Sequence, residues 1–129
     1  MACIDPFKSN GKRFFHSFVF AWQGIISTVK SERNFRIHLL ASVLVIIAGI
    51  YFRISLLEWI ILFLLIGGIL ALELINTAIE CVVDLVMQKK YHPLAKTAKD
   101  VGAGAVLVYA IISVIIGILI FIPKLTIHQ

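Results

Sequence analysis

The sequence predicts an all-α integral membrane protein: an N-terminal amphipathic interfacial helix followed by three transmembrane helices. Three observations carry that expectation. Of its 129 residues 60% are hydrophobic and only 15% charged, against about 25% charged in soluble domains. The apolar residues gather into long runs, and a backbone without water to bond to must satisfy itself within a helix. The formal charge of +5 could suggest nucleic acid, but the basic residues sit beside those runs, so anionic lipid headgroups explain it better and no nucleic-acid partner is expected.

Residues 11–31 form the first element. Phe14, Phe18, Trp22, Ile25 and Val29 recur at steps of four, four, three and four, which places them on one helical face. Lys12, His16, Gln23, Ser27 and Lys30 fall opposite. A chain with no soluble core to offer uses such a helix in the membrane interface. No cleavable signal is expected, because the basic N-terminus leads into this amphipathic stretch rather than into a compact apolar segment. Cys3 and Cys81 do not form a disulfide framework and are read as inert thiols.

The first span is placed at about 35–53, around "IHLLASVLVIIAGIYF", with Arg36 snorkelling at its start. The second, about 57–87, combines "WIILFLLIGGILAL" with the acidic stretch "ELINTAIECVVD". The third, about 98–122, contains "VGAGAVLVYAIISVIIGILIFI" and is expected to end at Pro123. One domain, 1–129, accounts for the whole chain. Lys and Arg are sorted by segment: six precede the first span, Arg53 alone follows it, four lie between the second and third, and Lys124 alone follows the last. By the positive-inside rule the N-terminus and the 87–100 loop are cytoplasmic and the C-terminus is outside.

The acidic stretch carries the chemistry. Glu73, Asn76, Thr77, Glu80 and Asp84 are spaced by three, one, three and four and share one stripe. With Glu58 at the outer end and a rise of about 1.5 Å per residue, Glu73 lies roughly 22 Å further in, still within an apolar core about 30 Å thick. Glu80 lies about 10 Å beyond it, at the cytoplasmic margin. A carboxylate at the depth of Glu73 needs a hydrogen-bond partner, a proton or a cation, and it suits a general base. Glu80 and Asp84 alone would also fit a solvated helix end.

Complementary groups flank the same margin. Glu32 and Glu80 could hold Mg²⁺, which takes few carboxylates and leaves positions for phosphate oxygens. Lys99 and Arg13 could meet phosphates, or could anchor headgroups; His92 could be a loop residue. No G-x-x-x-x-G-K-[ST] loop and no G-x-G-x-x-G after a strand is present, so a soluble nucleotide-binding fold is excluded. The small residues of "GAGA" permit close helix packing instead.

Taken together, "ERNFRIHL" (32–39), "ELINTAIECVVD" (73–84) and "YHPLAKTAKDVGAGAVL" (91–107) closely resemble the prokaryotic diacylglycerol kinase family of small membrane lipid kinases, over about residues 12–122. The resemblance implies a homotrimer with composite sites at the cytoplasmic interface of the bacterial cytoplasmic membrane, and MgATP as phosphoryl donor to a lipid hydroxyl. By position it makes Glu73 the catalytic base and Glu32 and Glu80 the metal-linked carboxylates. It places Arg13, Phe20, Asn76, Asp84, Tyr91, His92, Lys99 and Asp100 around nucleotide and phosphate, and Trp22, Asn34, Arg36 and Ala103 with Glu73 beside the lipid.

Two positions and one loop depart from the enterobacterial members: Phe20 replaces a nucleotide-contacting Tyr, Ala103 replaces a Ser, and the loop before Tyr91 is one residue longer. "NFRIH", "HPLAK" and "GAGAV" resemble the branch that phosphorylates undecaprenol, which puts undecaprenol ahead of diacylglycerol as the expected substrate. Two other classes compete. A small proton or cation conduit would explain Glu73, but gives Glu32, "YHPLAK" and "AKD" no shared purpose. A structural assembly subunit would show no ATP dependence.

Overall fold

The computed structural model describes residues 10–127, with side chains over 14–126. Cys3 and the side chain of Arg13 lie outside the described residues. Four helices follow one another: α1 (Asn10–Ser31), α2 (Arg33–Tyr51), α3 (Leu56–Met87) and α4 (Pro93–Ile127). The last three are long and apolar enough to cross a membrane.

Glu32 alone separates α1 from α2. Its backbone is extended (φ −98°, ψ 117°), which breaks the helical path, while its N–H still donates to Thr28 O at 2.8 Å. The carboxylate of Glu32 therefore stands at a corner of the chain. At the opposite end of the molecule α3 begins with a capping box: Ser55 N donates to Glu58 Oε2 at 2.6 Å and Glu58 N to Ser55 Oγ at 3.3 Å, which satisfies two otherwise unpaired donors. Glu58 also pairs with Lys124 of α4 at 3.2 Å, so the start of α3 and the end of α4 are held together.

Two helix limits differ from the sequence expectation. The helix expected over 35–53 runs from Arg33 to Tyr51, with Phe52 and Arg53 in a turn. The helix expected over 98–122 starts at Pro93 and continues through Pro123 to Ile127. Proline fits the first helical position, where no N–H partner is needed. The His92 ring caps the same end, its Nδ1 accepting from Leu94 N at 3.2 Å. Pro123 removes one donor only a turn before the helix end, where Thr126 Oγ1 donates back to Pro123 O at 2.8 Å; such local bonds make proline tolerable in membrane helices.

Helix α3 packs against α4 and α2, and α1 lies against α2 and α3. Glycines set the approach of α3 to α4 from both sides. On α3, Gly68 leaves space that the Tyr109 ring occupies, and the Tyr109 hydroxyl donates to Leu64 O at 3.0 Å. On α4, Gly102 faces Asn76, whose Oδ1 would stand 2.5 Å from an added Cβ. A small apolar cluster of Ile54, Leu62 and Ile120 closes the Glu58 end. In the most apolar windows of the three long helices only 17%, 22% and 11% of residues are buried within the chain, so most of their surface is left to lipid or to another copy.

Candidate active site

The α3 stripe is assembled as a graded line of polar contacts. At its deep end Glu73 is only 3% exposed, and His38 of α2 places Nε2 3.3 Å from its Oε1. One turn on, Asn76 Nδ2 donates to Glu80 Oε1 at 2.9 Å, while Asn76 Oδ1 is buried with no partner among the described residues. At the far end Lys99 Nζ of α4 donates to Asp84 Oδ1 at 2.8 Å. Glu32 and Glu80 both lie close enough to act electrostatically on Glu73, and Glu80 acts likewise on Lys99. Glu73 thus feels carboxylates from the α1–α2 corner and from its own helix, and Lys99 of α4 feels Asp84 and Glu80.

Two cavities flank this line, one bordered by Asp84 and the other reaching His38, the partner of Glu73. Beyond Asp84 a hollow of ≈ 480 Å³ is walled by Asp84, Lys89, Lys90, Tyr91, His92, Lys96, Lys99 and Asp100. Its four ammonium groups against two carboxylates suit a polyanion. Two of them are engaged, Lys99 by Asp84 and Lys96 by Asp100. On the other side an apolar groove of ≈ 450 Å³ runs over α3 between α2 and α4, from His38 to Phe121 and Leu125. An apolar groove therefore lies toward the Glu73 end of the stripe and a basic hollow toward the Asp84 end.

Residues 19–121 match the profile of the family described as prokaryotic diacylglycerol kinase. The chain belongs to the prokaryotic diacylglycerol kinase family. It is 58% identical over 113 residues to the undecaprenol kinase of Bacillus subtilis (strain 168), covering 88% of this chain and 91% of that one. The diacylglycerol kinase of Synechocystis is 44% identical over 84% of this chain, which spans 62% of that protein's length. The diacylglycerol kinase of Escherichia coli (strain K12) is 30% identical over 74% of this chain and 78% of its own. This chain is a membrane lipid kinase that draws on a nucleotide phosphate donor.

Within this kinase, Glu32, Glu73, Asn76 and Glu80 are brought together, and Asp84, Tyr91, His92, Lys99 and Asp100 border one hollow. Phe20, Trp22, Asn34, Arg36 and Ala103 are exposed instead; the Phe20 ring stacks on His16 of its own helix, with centroids 6.1 Å apart. Among the described residues no three metal-ligating side chains cluster. Glu32 and Glu80 each act on Glu73 electrostatically, and carboxylates are the donors that a hard cation takes while keeping positions for phosphate oxygens and water. Sequence reasoning missed His38. The available signal was a titratable ring inside the first apolar span, which in lipid calls for a partner.

Proposed function

We propose that this lipid kinase transfers the γ-phosphoryl group of MgATP to undecaprenol, giving undecaprenyl phosphate, at the cytoplasmic face of the bacterial cytoplasmic membrane. The observation that carries the reading is the single α3 face joining buried Glu73, beside the apolar groove, to the Asp84–Lys99 pair at the basic hollow. A lipid hydroxyl and a nucleotide would meet along that face from opposite sides. The name of the Bacillus subtilis relative favours the polyprenol over diacylglycerol.

In this mechanism the lipid oxygen attacks the γ-phosphorus, Glu73 accepts the hydroxyl proton, and ADP departs. Lys99 orients the phosphate chain from one side of the hollow, together with Lys89 and Lys90. Glu32 and Glu80 would hold Mg²⁺, which when bound offsets charge on the phosphate oxygens. Asn76 keeps Glu80 in place through Nδ2. The protein works as a homotrimer with shared sites, a reading supported by the low burial of its three long helices, since one chain cannot enclose a polar site in lipid. The N-terminus and the 87–100 loop face the cytoplasm and α1 lies in the interface, so a reporter fused after Gln129 is expected on the outer side.

Purified protein given MgATP labelled at the γ-position and matched amounts of undecaprenol and diacylglycerol tests the reading. Labelled undecaprenyl phosphate should dominate. Preferential labelling of phosphatidic acid would move the assignment to diacylglycerol, and no labelled lipid would exclude both as its acceptor.

A further inference from the structure

His38 is the one ion-pair partner of Glu73 among the described residues. It comes from a different helix, its side chain is a quarter exposed, and its ring also forms part of the wall of the apolar groove. A carboxylate that is 3% exposed and faces two other carboxylates, Glu32 and Glu80, has little else to fix its rotamer. We infer that His38 is a positioning residue for phosphoryl transfer: its Nε2 engages Glu73 Oε1 and so presents Oε2 to the lipid hydroxyl arriving along the groove. The inference rests on the reading of Glu73 as the base. His38 touches no reacting atom and acts through the carboxylate, as the third group of a nucleophile–base array orients the second. Ser42, whose Oγ donates to His38 O at 2.7 Å, lies on the same groove wall and fixes the backbone from which the ring projects.

The test uses full-length protein in lipid with His38→Ala, His38→Gln, Glu73→Gln and both double variants, reading kcat, KM for MgATP and thermal midpoint. His38→Ala should lose about tenfold or more in kcat with KM for MgATP unchanged, and His38→Gln, whose amide can still donate to Oε1, should recover part of it. In the Glu73→Gln background neither His38 change should lower kcat further, because the group it acts through is gone. Wild-type kcat in His38→Ala, or losses that multiply in the double variants, overturns the inference. If His38→Ala does not fold, the folded His38→Gln pair decides by the same criterion. Full turnover in Glu73→Gln would overturn the base itself, whereas an inactive Glu73→Gln beside a fully active His38→Ala removes only the role of His38.

Discussion

Gly102 of α4 meets Asn76 of α3 so closely that a Cβ at Gly102 would lie 2.5 Å from Asn76 Oδ1. The same amide holds Glu80 through Nδ2, so helix spacing and site geometry depend on one contact. Gly102→Ala should push α4 away or turn the Asn76 amide, at a cost of about 1–3 kcal/mol of overpacking, with reduced activity. Gly104→Ala is the control, because its Cβ meets nothing within 4 Å and alanine is the better helix former. Thermal midpoints of the two variants in the same lipid check the contrast, and equal midpoints would contradict it.

Two glutamates on one helix should fail differently. Glu73→Gln removes the proposed base and should lower kcat by about 10² to 10⁴ while MgATP binding persists. Glu80→Gln should instead raise the Mg²⁺ and MgATP concentrations needed for half-maximal rate. Titrating both ligands against both variants separates the roles; near wild-type turnover in folded Glu73→Gln would exclude it as base.

Lys99 masks Asp84 at the mouth of the basic hollow. Lys99→Met removes the proposed phosphate partner and leaves Asp84 unpaired at the hollow, so KM for MgATP should rise by about tenfold. Adding Asp84→Asn should recover part of that loss. A double variant with a higher KM than Lys99→Met would show that Asp84 contributes to binding directly.

The loop that follows α3 offers a stabilising change. Gln88 closes the helix in the left-handed region (φ 48°, ψ 38°), and Lys89 follows it at φ 60°. Glycine occupies that region without the Cβ contact, so Gln88→Gly should stabilise the protein by about 0.5–1 kcal/mol. An increase in thermal midpoint is the expected readout, and a decrease would mean that the Gln88 side chain has a partner.

Much of the fold was legible because lipid narrows the choices. Apolar runs of this length must be helices, and the period of three and four put Glu73, Asn76, Glu80 and Asp84 on one face before any packing was known. Helix ends were less legible. Pro123 reads as a stop signal, yet α4 passes through it, because a proline one turn from a helix end forfeits a single bond and Lys124 is anchored to Glu58 across the helix pair.

Sequence by itself determined the helical class, the polar stripe and the segregation of basic residues to particular loops, all consequences of local periodicity and of the cost of charge in hydrocarbon. Only the tertiary structure decided which groups on other helices meet that stripe: His38 at Glu73, Lys99 at Asp84, and the backbone of Gly102 at Asn76. Those partners lie 35, 15 and 26 positions away in the chain, and no helical period relates positions on separate helices. Their meeting depends on how closely α2 and α4 can approach α3, which is set by side-chain volume at the crossings: the missing Cβ of Gly49 at Trp59 for α2, and those of Gly68 and Gly102 for α4.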